Sequence, residues 1–114
     1  MNDCLFCKIA AGEIPSTKVY EDEKVYAFLD IDPQAPHHII IIPKEHISSG
    51  NEITEENASV VGHIFAVAAT IAKEKGFAEK GWRIVNNCGS DGGQTVGHLH
   101  FHLLAGRNLG WPPG

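Results

Sequence analysis

A chain of 114 residues is long enough for one hydrophobic core and too short for two, and 43% hydrophobic against 20% charged residues excludes a disordered chain. Nine Lys and Arg against fourteen Asp and Glu give a net charge of -5 with no basic block, which argues against polymeric nucleic acid or an anionic membrane surface as a partner. The start "MNDCLFCKIAAGEIP" has no basic leader followed by an apolar run, and no segment approaches the roughly 20 apolar residues of a membrane span. The expectation is a single cytoplasmic domain over residues 1–114.

In chain order, "DCLFCKIAAGE" reads as a short helix that Gly12 and Pro15 end. "TKVYED" and "KVYAFLD" read as two strands joined through Glu21, Asp22 and Glu23, and "DIDPQAP" then breaks regularity with two prolines. "HHIIIIPK" is the clearest strand, with Pro43 stopping its ladder and His38 sharing a face with Ile40 and Ile42. A long helix is expected from about Thr54, as N-cap, to Lys75, with Glu55 and Glu56 at the positive end of its dipole and Gly76 beyond its last turn. Its apolar stripe is Val61, Ile64, Phe65, Ala68, Ile71 and Ala72. Strand "GWRIVNN", loop "CGSDGGQTVG", strand "HLHFHLLAG" and tail "RNLGWPPG" complete the chain. Strands interrupted by one substantial helix predict an α+β fold with a mostly antiparallel sheet.

Three of the seven histidines, His98, His100 and His102, stand at every second position of the last strand, so they share one face while Leu99, Phe101 and Leu103 take the other. His98 and His102 would lie about 13 Å apart along an extended strand, so no single ion with bonds of about 2 Å takes all three. One such histidine is most often a hydrogen-bonded polar residue; three in register point to chemistry. Neutral imidazole is a competent nucleophile near pH 7, and the loop before it brings Gly89, Gly92 and Gly93, whose amides approach an anion closely, with the Gln94 amide and Thr95 hydroxyl. The spacing is not that of a P-loop.

The three cysteines are an odd number, which argues against a disulfide framework. Cys4 and Cys7 form a CxxC that is open to three readings: a redox pair, two core thiols, or half of a tetrahedral zinc site. Cys88 reads as a buried small hydrophobe, and His37 and His63 as bystanders, the latter on the helix surface.

"HLHFHLL" resembles the HφHφHφφ signature (φ apolar) of the histidine triad, or HIT, superfamily. "DIDPQAPHHIIIIPKEHIS", "NNCGSDGGQTVGHLHFHLLAGR" and "WPPG" are similar to its nucleotide-binding branch over nearly the whole chain. The resemblance implies a HIT-like fold: a five-stranded antiparallel sheet with one long and one short helix, extended across a homodimer. It implies a hydrolase that cleaves purine nucleoside phosphoramidates or aminoacyl adenylates through a covalent nucleotidyl-histidine. His100 is then the nucleophile, His102 contacts the phosphoryl oxygens, His38 stands behind the site, and Thr95 takes the place of a serine beside the leaving group. Asp30 would accept the ribose hydroxyls, Leu5, Phe6 and Ile31 would form a slot for the base, and Asn87, Gly93 and Gln94 would lie near the phosphate. By the same resemblance Cys4, Cys7, His46 and His98 bind a structural zinc, the chemistry itself needs no cofactor, and the tail reaches the partner's site. Dinucleoside polyphosphate hydrolysis and a non-catalytic nucleotide-binding role are the alternatives.

Overall fold

A computed structural model describes residues 3–114. Helix α1 spans Leu5–Ala10; strands β1, Lys18–Glu21, and β2, Val25–Leu29, form a hairpin; β3, His37–Pro43, follows. Helix α2, Ser59–Lys75, leads to β4, Trp82–Val85, and β5, Phe101–Ala105. Every pairing is antiparallel, and the spatial order β1-β2-β3-β5-β4 inserts the last strand between β3 and β4.

The isoleucine run forms a strand because both of its faces are covered. Ile39 and Ile41 pack with Leu103 and Phe101 beneath Ile64, Ala68 and Ile71 of α2, whereas Ile40 and Ile42 pack with Tyr26, Phe28, Phe6 and Ile9 on the α1 side. The period of two therefore sends His38 and His102 to the α1 face, where Ile40 stands opposite His102 in the register.

Helix α2 starts at Ser59, not near Thr54. The Asn57 side chain takes the Thr54 N–H at 2.7 Å and donates to the Glu52 carbonyl at 3.1 Å, so residues 54–57 close a turn of their own. The end is as expected: Gly76 adopts a left-handed φ of 85° and caps the Ala72 and Lys73 carbonyls. Phe65 is 46% exposed and Val67 is buried in its place, giving a stripe of Ile64, Val67, Ala68, Ile71 and Ala72.

Strand β5 is also shorter than the sequence suggests. Its ladder with β3 begins at Ile41 and Phe101; the same register would set Pro43 opposite Leu99, and proline has no N–H to continue it. The Leu99 N–H turns instead to the Ile47 carbonyl, so His98 and His100 precede the regular strand, yet both remain buried.

His63 is no bystander. Its Nε2 lies 2.7 Å from Asp22, whose carboxylate also accepts from the Tyr20 hydroxyl and the Lys24 and Val25 amides. Burial alone would raise this carboxyl, but the bonds from Lys24 N–H, His63, Val25 N–H and Tyr20 outweigh it and hold Asp22 far below the ordinary carboxylate value. A depressed carboxylate contributes stability that is complete above its unfolded pKa and is lost as pH falls below it. Asp22→Asn is expected to cost on the order of 2 kcal/mol in urea unfolding at pH 7. That difference from the wild type should narrow below about pH 4.

Candidate functional site

The α1 face of the β3–β5 pair carries two clusters side by side. In the first, α1 presents Cys4 and Cys7 to His46, which follows β3, and to His98. Cys4 Sγ and His98 Nδ1 are 3.2 Å apart, Cys7 Sγ lies 3.3 Å from His46 Nδ1 and 3.5 Å from His98 Nδ1, and the two Nδ1 atoms are 3.2 Å apart. A tetrahedral cation with bonds of about 2.0 Å to nitrogen and 2.3 Å to sulfur sets its ligands about 3.3 Å apart for two nitrogens and about 3.5 Å for nitrogen and sulfur, so these donor distances fit a zinc-like ion. His98 Nε2 donates to the Pro43 carbonyl at 2.9 Å, which puts the proton on Nε2 and leaves the Nδ1 lone pair for a cation. Burial, the larger effect, also lowers the pKa of His98 and keeps the ring neutral.

In the second cluster, His100 Nδ1 lies 2.7 Å from the His98 carbonyl. A carbonyl only accepts, so Nδ1 carries the proton and the free lone pair is on Nε2. Asn86 Nδ2 bonds the His100 carbonyl at 2.8 Å and pins the backbone there. His38 Nδ1 accepts the Gln34 N–H at 3.0 Å, so the His38 proton sits on Nε2, 2.8 Å from His102 Nδ1 and 3.3 Å from Asp30 Oδ2. His102 then accepts at Nδ1 and offers Nε2–H as a donor. Its pKa is pushed down to about 4, first by burial and then by the neighbouring His100 and His38, with Asp30 only partly compensating. Burial also lowers His38, against the pull of Asp30 and Asp32.

Phe6 wedges between the clusters, edge-on to His98 and His100 with centroid separations of 6.1 and 5.0 Å, and it is buried. Leu5 is 43% exposed and Ile31 is fully exposed. The Gln94 side chain is committed to the loop: its Nε2 donates to the Ser48 and Val96 carbonyls and its Oε1 accepts the Gly89 N–H. The Gly93 and Gln94 amides likewise close turns onto Ser90 and Gly89. These groups shape the loop that presents Thr95, which is exposed, and a Cβ at Gly92 would overlap the Cys88 carbonyl oxygen. Asn87 is half-buried, as is Cys88, which was expected to be buried.

Sequence reasoning missed Asn86 and the main-chain partners of the histidines. The "NN" pair could have raised Asn86 as a second amide beside Asn87; nothing in side-chain identity signals a carbonyl.

A histidine held neutral in the folded state and free to protonate near 6.5 when unfolded lowers stability as pH falls from about 6.5 toward 4, and leaves it unaffected above that window. Ring-resolved NMR of the folded protein should show His102 neutral at pH 5.5, titrating only as pH approaches 4; a midpoint near 6.5 would contradict this environment.

The HIT domain pattern matches residues 11–109. A purine nucleoside phosphoramidase from Escherichia coli K12 is 48% identical over 108 residues, covering 95% of this chain and 91% of that protein. A 14 kDa zinc-binding protein of Zea mays is 50% identical over 112 residues, covering 96% and 87%. The crystal structure of a HIT family hydrolase from Legionella pneumophila Philadelphia 1 superposes with a TM-score of 0.96 at 50% identity, covering 98% of this chain and all of that one. With the family match, these identities and this superposition in agreement, the chain belongs to the HIT domain family.

Proposed function

We propose that the protein hydrolyses purine nucleoside phosphoramidates through a nucleotidyl intermediate on His100. The observation that carries this reading is the bond from His100 Nδ1–H to the His98 carbonyl, which leaves Nε2 as a lone-pair nucleophile. The name and 48% identity of the Escherichia coli relative support the substrate class.

In the first step a bond forms from His100 Nε2 to phosphorus as the P–N bond breaks, and the departing amine takes a proton from the exposed Thr95 hydroxyl, which takes one from solvent water in the same relay. The ring becomes cationic on phosphorylation, and its Nδ1–H, already on a carbonyl, shares that charge with the main chain. His102 and His38 are neutral, so they add no repulsion, and His102 Nε2–H donates to a phosphoryl oxygen. Water then cleaves the Nε2–P bond, releasing the nucleoside monophosphate and restoring the imidazole. Asp30 takes the ribose hydroxyls, Leu5 and Ile31 flank the base, with Phe6 behind them, and Asn87, Gly93 and Gln94 border the phosphate.

Cys4, Cys7, His46 and His98 would hold one structural zinc per chain, a cross-link that joins α1 to the segments after β3 and before β5. The Zea mays relative supports that metal. A reduced cysteine pair of this kind suits the cytoplasm, and no described helix is long and apolar enough to cross a membrane. A homodimer is supported by the open edge of β4 and by exposed Phe65 and Trp111, the latter 83% exposed on the tail expected to reach the partner's site.

Quenched-flow mass spectrometry of the wild type with an adenosine phosphoramidate should capture one nucleotidyl group on His100. His100→Ala should lose the adduct and at least about 100-fold in kcat; full turnover by this variant would end the assignment. Elemental analysis of protein purified without a histidine tag should find one zinc per chain. Cys4→Ser should lose metal and lower the Tm by several degrees; metal-free wild type of equal stability would refute the zinc.

A further inference from the structure

The direction of the His38–His102 hydrogen bond is set from outside the pair. If His102 donated, His38 would carry its proton on Nδ1, against the Gln34 N–H 3.0 Å away, and two donors would face each other. The Gln34 amide therefore selects one tautomer for both rings, and its position matters more than its side chain.

That position is held by Arg107. Its Nε and Nη2 both donate to the Gln34 carbonyl, at 3.2 and 3.0 Å, and its Nη1 donates to the Asn108 carbonyl at 3.0 Å. No carboxylate among the described residues forms an ion pair with it. The approach depends on Gly106, where φ is +102° and a Cβ would fall 2.7 Å from Pro36 Cβ, so only glycine lets the end of β5 pass this close to the 33–36 loop. We infer that Arg107 is a positioning residue: by gripping the Gln34 carbonyl it keeps the Gln34 N–H on His38 Nδ1, and so aims the His102 Nε2–H outward. Its side chain touches no reacting atom.

The kinetic consequence rests on the function proposed above; the tautomer does not, because it is read in the absence of substrate. Long-range ¹H–¹⁵N spectra of the zinc-replete, full-length wild type should show His38 and His102 each as a pure Nε2–H tautomer. Arg107→Ala should give mixed tautomers at both rings and reduce kcat on an adenosine phosphoramidate about 10- to 100-fold, with KM little changed. A merely structural arginine would lower the Tm and leave the ring spectra as they were. Pure Nε2–H tautomers in Arg107→Ala would overturn the inference, whatever the rate. Arg107→Lys, which keeps the cation but not the two-pronged grip, should show a smaller shift of the same kind, and it decides the matter if Arg107→Ala does not fold. Should the wild type turn over no phosphoramidate while the variant still changes tautomer, the proposed reaction fails and the role of Arg107 stands.

Discussion

The antiparallel pairing of β3 with β5 is the constraint on which everything else depends. It joins residues 60 to 68 positions apart and sets Ile40 opposite His102, which brings His38 diagonally onto the same ring. A slip of one residue would exchange the faces: the imidazoles would enter the aliphatic layer under α2, and Phe101 and Leu103 would emerge beside α1. The aliphatic packing on both sides therefore specifies the register that the polar chemistry needs.

Within that frame the histidines differ in role because the main chain gives each a different partner. Pro43 and His98 contribute carbonyls and Gln34 contributes an amide; these three groups decide which ring nitrogen carries the proton and which keeps its lone pair. Burial then lowers the pKa of His38, His98 and His102, which favours their neutral rings. Phe6 fills the space between the two clusters, so the short α1, too brief to persist alone, is fastened both by its thiols and by an aromatic contact.

The alternation of His98, His100 and His102 and the spacing of Cys4 and Cys7 were legible because they are periodic, and side-chain periodicity is what a sequence displays. Sheet composition and the end of α2 at Gly76 followed from similarly local signals. The start of α2 did not, since Asn57 competes for backbone groups that Thr54 was expected to cap. The short β5 arises from a proline on another strand, and the use of Gln94 as a loop brace depends on Ser48, 46 residues earlier. His63 could not be assigned a partner because Asp22 lies 41 positions away. Apart from Asn57, a side chain three positions from Thr54, the deciding group in each case is distant in sequence.

The dependence of the histidine protons on main-chain partners limits what can be moved between proteins. The segment "GHLHFHLL" brings the rings and one of the carbonyls; the other carbonyl belongs to the end of β3 and the amide to the loop before it. Grafted onto a strand of another scaffold, the eight-residue segment would keep its spacing and lose its proton assignment. The portable unit is the β3–β5 pair together with the 33–36 loop.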